Sequence, residues 1–194
     1  MRKVLFIASL MLLSVVAYAQ PEVGTLSIQP KVGLNIAYFE ESKVSGVDTK
    51  PRLGLVGGLE LEYQLLKKLS LSAGALYSMQ GEKAKYAGDR YNPAQEETAE
   101  LDYVNFPVLV NCYILKGLAL KVGVQPAVNV RSSMSNYVLT NVNKFDFSIP
   151  FGLSYEFKSF VIEARYNLGV TNIIKDDETR NRVVQITAGI KLGR

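Results

Sequence analysis

An all-β fold, an eight-stranded antiparallel up-and-down transmembrane β-barrel, is what the sequence predicts, and three observations predict it. Eight stretches of the 194-residue chain alternate apolar and non-apolar residues with period two. The connections between these stretches alternate short and long. The non-apolar face consists of small residues and of charges whose signs balance, whereas a sheet face bathed in water is rich in Lys, Glu and Thr.

The N-terminus comes first. Arg2 and Lys3 precede the apolar run Val4–Val16, which contains two serines, and Ala17-Tyr18-Ala19 fits the small-residue cleavage rule. The run is short for a membrane-spanning helix. Residues 1–19 are therefore expected to be a signal peptide, leaving residues 20–194 as an outer-membrane barrel domain. No cysteine follows the cut, so a lipid anchor is not expected.

The eight stretches follow in order. Ser27–Phe39 puts Ile28, Val32, Leu34, Ile36 and Tyr38 on one face. Arg52–Gln64 does so with Leu53, Leu55, Leu59, Leu61 and Tyr63, and Leu69–Gln80 with Leu71, Tyr77 and Met79. Leu101–Ile114 presents Val104, Phe106, Val108, Val110, Cys112 and Ile114. The fifth stretch, LALKVGVQPAVNVR (118–131), has an apolar residue at every even position. Phe145–Phe157, Phe160–Asn172 and Arg182–Leu192 complete the set. Three links are tight: 65–68, 115–117 and 158–159. Four are long and polar: about 40–50, 81–100, 132–144 and 173–181. Short turns at one end, long loops at the other and an even strand count are the plan of an outer-membrane barrel.

The two faces then acquire different surroundings. An eight-stranded barrel is just wide enough for side chains to fill it. The glycines of the non-apolar face are expected to make room there for long neighbours. Lys31, Arg52, Lys121, Arg131, Arg165 and Lys191 are matched by Glu60, Glu62, Asp102, Asp146, Glu156 and Glu163. Such a set can pair internally, which predicts a plugged lumen lined by an ion network. The apolar face carries Tyr38, Tyr63, Tyr77, Phe145, Tyr155 and Phe157 toward strand ends, as interfacial girdles do.

With the strands placed, the chain resembles the PorT-like outer-membrane β-barrel family of Gram-negative bacteria. KVGLNIAYF (31–39) is similar to that family's first strand, LDYVNFPVLVNCYI (101–114) to its Leu-x-Tyr-x-x-hydrophobic-Pro strand, and ARYNLGVTNI (164–173) to its penultimate strand. The resemblance implies an integral outer-membrane protein, and through the family's namesake an accessory role in protein secretion. The end of the chain, Ile190-Lys191-Leu192-Gly193-Arg194, departs from the aromatic ending common among such barrels.

Composition narrows the chemistry. The chain has no histidine, which excludes histidine bases, histidine-containing triads and histidine metal sites. Formal charge is +4, and removal of Arg2 and Lys3 lowers it to +2, too little to suggest nucleic acid as a partner. The single Cys112 reads as a small hydrophobe on an apolar strand face. No catalytic residue, metal ligand or cofactor is assigned, and Glu163 beside Arg165 reads as part of the ion network rather than as a carboxylate acid–base pair.

Three prolines, Pro107, Pro126 and Pro150, fall on consecutive strands, where missing ladder bonds would loosen the wall. Tyr86 and Tyr91 in the second long loop, and Asp176, Asp177 and Glu178 in the last, are candidate loop contacts for a protein partner or for cations beside lipopolysaccharide. The expected function is a non-enzymatic structural or interaction barrel contacting outer-membrane lipid and lipopolysaccharide, accessory to secretion or envelope maintenance. A lipid-modifying membrane enzyme, a narrow channel and a soluble lipocalin-like carrier are the alternatives.

Overall fold

The computed structural model describes residues 22–40, 47–86, 95–134, 137–138, 142–173 and 179–193. The predicted signal peptide, Tyr91 and Asp176-Asp177-Glu178 lie outside the described residues, as does the side chain of Tyr86.

Ten strands are formed: β1 (Leu26–Glu40), β2 (Val47–Leu66), β3 (Leu69–Tyr86), β4 (Gln95–Asn105), β5 (Val108–Leu115), β6 (Leu118–Met134), β7 (Tyr137–Val138), β8 (Phe145–Phe157), β9 (Phe160–Asn172) and β10 (Arg180–Ile190). They make the eight walls predicted. β4 and β5 are one crossing interrupted at Phe106-Pro107, because both segments lie between β3 and β6. β7 is a two-residue pairing against the loop end of β6. Each wall pairs antiparallel with its neighbour, and β1 closes the ring on β10 with Lys31 opposite Gly189 and Ile36 opposite Val184. Closure removes the free edges that a β-sheet would otherwise expose.

The short turns carry the backbone signatures expected of tight hairpins. Gly117 (φ 78°) and Lys158 (φ 58°) both take left-handed conformations. A Cβ on Gly117 would also lie 2.4 Å from the Glu156 carbonyl oxygen. At the other end two of the predicted loops are partly strand. β3 and β4 run on as a ladder from Gly81–Glu100 to Tyr86–Gln95, and β2 begins at Val47. The apolar alternation stops there while the backbone pairing continues, so periodicity alone could not mark the strand ends.

The faces are disposed as predicted. Val32, Leu34, Leu53, Leu55, Val122, Ile162 and Ile186 all point outward and are exposed, making an apolar belt around the barrel. Lys31, Glu60, Lys121, Glu163 and Arg165 are buried inside. This is the reverse of what an internal apolar ligand cavity needs, so the lipocalin-like alternative does not hold. The glycines of the inward face serve two purposes, of which the sequence suggested one. A Cβ on Gly33 or Gly123 would lie 2.0 Å from a carbonyl oxygen of the neighbouring strand. Gly33 and Gly123 permit close strand approach in a tightly curved wall, while Gly189 does make room for side chains, since a Cβ there would lie 3.1 Å from Lys31 Cβ and 3.2 Å from Gln29 Cγ.

Candidate functional site

The lumen is the one place where the sequence concentrates chemistry, and it is built in layers. Lys31 comes from β1, Glu60 from β2, Lys121 from β6, and Glu163 and Arg165 from β9. All five project inward at the same depth. Lys31 Nζ lies 2.9 Å from Glu60 Oε2 and 3.0 Å from Glu163 Oε2. Lys121 Nζ lies 2.8 Å from Glu60 Oε1 and 2.9 Å from Glu163 Oε2. Arg165 donates from Nη2 to Glu60 Oε2 at 3.1 Å and from Nε to Glu163 Oε1 at 2.6 Å. Each carboxylate thus answers three cations, which is what makes so many charges tolerable out of water.

Nearer the short turns is a second layer. Lys191 pairs with Glu62 at 3.0 Å and with Glu156 at 3.2 Å. Glu62 Oε1 also accepts from Ser70 Oγ at 2.6 Å and from Tyr113 Oη at 2.5 Å. The inner layer carries one excess positive charge and this one a single excess negative charge. Together, Lys31, Lys121, Arg165 and Lys191 balance Glu60, Glu62, Glu156 and Glu163, and the network is neutral.

Four of the residues expected in this network, Arg52, Arg131, Asp102 and Asp146, are placed elsewhere. Arg52 sits nearer the loop end, donating to the Gln80 carbonyl and pairing with Glu100 at 2.9 Å. Arg131 has a side chain 61% exposed and reaches Glu100 at 3.4 Å, so it is no part of the lumen. The reason is a register shift between Asp102 and Tyr103 in the β4–β6 ladder. One extra residue in a strand sends the following side chains to the opposite face. Asp102, also expected inside, shares the parity of the outward Val104, since Leu101, Tyr103 and Asn105 are the inward residues of β4; it is buried at the wall and accepts a hydrogen bond from Tyr77 at 2.8 Å.

Toward the loops the lumen changes character. One step beyond the ion layer, Asn105, Gln125, Asp146, Asn167 and Asn181 line a small cavity of about 10 Å³, room for a single water-sized sphere. Beyond that, Leu101, Tyr103, Ala127 and Ile173 form an apolar cluster, with Phe39 and Val142 packed on it. Sequence reading missed the carboxamide layer and the apolar lid. The signal was available: Gln125 and Ala127 continue the odd-numbered inward series of Lys121, and Asn167 that of Arg165. Of the wall prolines, Pro107 lies in the gap between β4 and β5, and the Phe106 amide donates to the Pro126 carbonyl at 2.8 Å. The β6–β8 ladder pairs Val122 with Phe151 and Gln125 with Ser148, skipping the step that contains Pro150. Cys112 is exposed on the outer face.

Among the described residues no group of three or more Cys, Asp or Glu side chains is placed to hold a metal. No curated protein matches the chain. Among solved structures, the chain is similar to the outer membrane protein OprG from Pseudomonas aeruginosa, with 12% identity, 91% of this chain and 100% of that one covered, and a TM-score of 0.50. Neisserial surface protein A follows with 13% identity, 86% and 97% coverage and a TM-score of 0.49. Ail, the attachment invasion locus protein of Yersinia pestis, has 15% identity, 88% and 100% coverage and a TM-score of 0.45. At such identities a likeness bears on the fold alone. The family evidence is of another kind. A family model described as "Outer membrane protein beta-barrel domain" matches residues 18–175. With a closed eight-walled barrel, an outward apolar belt and a polar interior already in place, the chain belongs to that family of outer-membrane β-barrel proteins.

Proposed function

We propose that this protein is a non-enzymatic outer-membrane barrel whose lumen is a structural plug and whose function is carried by its surface: an interaction or structural role, accessory to protein secretion or envelope maintenance. The observation that carries the reading is the neutral ion network of four cations and four carboxylates across the lumen. A water-filled pore needs no such balance, and ion pairs at 2.8–3.2 Å across the lumen support a plug. The finer resemblance to PorT-like barrels, carried by 31–39, 101–114 and 164–173, supports the secretion part of the proposal. The surface loops are where a protein partner and lipopolysaccharide would be met, and residues 1–19 would direct export as a cleaved signal peptide.

The test has two stages. Boiled and unboiled samples of the outer-membrane fraction should migrate differently on SDS gels, as closed barrels do. Single-channel recording in planar bilayers should then give no discrete steps. Regular conductance steps would replace the plug with a channel. Crosslinking from single cysteines placed in the surface loops should capture a discrete protein partner from intact cells. Capture of lipopolysaccharide alone would remove the secretion role.

A further inference from the structure

The cavity above the plug is chemically unlike the plug itself. Asp146 is a buried carboxylate, and among the described residues no lysine or arginine pairs with it. Its Oδ1 accepts one hydrogen bond, from Thr171 Oγ1 at 2.5 Å. The plug is already neutral without it, so Asp146 adds a whole negative charge to the upper lumen. Burying a carboxylate without a counter-charge is among the costliest arrangements a protein can hold.

Three of the four carboxamides around it are oriented in one sense. Asn167 donates from its amide nitrogen to Gln185 Oε1 at 3.3 Å, and its Oδ1 has no partner. Gln125 donates to Ser148 Oγ at 3.2 Å, and its Oε1 has no partner. Asn181 donates to Gln80 Oε1, and its Oδ1 has no partner. Asn105 has neither end satisfied. All four side chains are at least nine-tenths buried, and all four line the cavity with Asp146. Three amide nitrogens are thus turned away to a neighbour, leaving the oxygens uncommitted. Buried polar atoms in native proteins seldom go without a partner, and several unpaired acceptors around one carboxylate share a single remedy. A water could satisfy an acceptor but would bring no charge.

We propose that this chamber binds one hard cation, calcium being the member of that class whose ligand number and flexible geometry fit. Calcium takes six to eight oxygens from carboxylates, amide carbonyls and water. Here Asp146 would supply the charge and its two oxygens, and Asn105, Gln125, Asn167 and Asn181 one neutral oxygen each, six in all, because the cavity holds one sphere and has no room for further water. A site with a single carboxylate belongs to the weak class that fills at the ~0.1–1 mM calcium found outside cells. That is the side of the membrane on which the loop end of the lumen lies. The apolar cluster of Leu101, Tyr103, Ala127 and Ile173 covers the chamber toward the loops, which should slow exchange once the ion is in place.

The experiment uses the full barrel refolded in detergent micelles, stripped with a chelator and returned to calcium chloride or to sodium chloride of matched ionic strength. Bound calcium is measured by equilibrium dialysis, and stability by the thermal midpoint. The expected result is one calcium per chain and a midpoint raised by calcium but not by sodium, with both effects absent in Asp146→Asn. Should that variant fail to refold, Asn181→Ala, which keeps the carboxylate, should bind calcium at least tenfold more weakly than the parent. Absence of bound calcium in the parent overturns the proposal. So does equal binding by the parent and the variants, which would put the ion in the acidic surface loops.

Discussion

Lys121 Nζ lies 2.8 Å from Glu60 Oε1, joining β6 to β2 directly across the barrel axis. Neither residue has water to fall back on, since both side chains are almost wholly buried. Glu60→Gln leaves three cations sharing one carboxylate. It should destabilise the barrel by about 3–5 kcal/mol, the range seen when one partner of a buried pair is removed. Urea unfolding in micelles, followed by loss of the fast-migrating gel band, checks this. A change below about 1 kcal/mol would mean that the plug is solvated in the membrane.

Val122 stands opposite Phe151 on the neighbouring strand, next in sequence to Lys121 of the ion layer, and is exposed on the outer face. Val122→Arg should therefore cost roughly 2–4 kcal/mol if this depth is the bilayer midplane. Gln125→Arg, on the opposite face, would test lumen crowding instead. Equal unfolding midpoints for Val122→Arg and the parent protein would contradict the assignment of faces.

Cys112 offers a probe that needs no mutation. It faces outward between Leu69 and Leu120 on the neighbouring strands. An environment-sensitive dye attached in urea before refolding should be quenched by brominated lipid chains and not by aqueous iodide. Quenching by iodide alone would place this face in water.

Pro150 lies where the β6–β8 ladder skips a step. Pro150→Val supplies the missing N–H, and should stabilise the barrel by about 0.5–1.5 kcal/mol while slowing amide exchange at Gly123, which the register places opposite it. An unchanged midpoint and unchanged exchange would show that the gap has another origin, Gly123 being the nearest candidate.

The wall of this protein was legible in its sequence because lipid and lumen ask for opposite residues at alternate positions. Leu53 and Leu55 outside, with Glu60 and Glu62 inside, need no tertiary information to be sorted. The eight-residue core of the plug was legible for the same reason. Arg131 was not, because a bulge is a matter of backbone register: one extra residue, Val130, opposite the Asp102–Tyr103 step reverses parity without altering the alternation on either side. The carboxamide layer escaped notice for a different reason. Asn and Gln on an inward face are unremarkable one at a time. Their significance comes from four strands delivering Asn105, Gln125, Asn167 and Asn181 to one level, with each oxygen left open.

The plug also constrains how the barrel is made. Its partners are far apart in the chain: Lys31 and Glu163 are separated by 132 positions, Glu60 and Arg165 by 105. A sheet missing its last two walls would present Lys31, Glu60 and Lys121 without Glu163 and Arg165, an arrangement the hydrocarbon interior strongly disfavours. Insertion strand by strand is therefore penalised. The chain must curl and close its first strand on its last as it enters the bilayer, so the lumen acts as an assembly checkpoint that only a completed ring can pass.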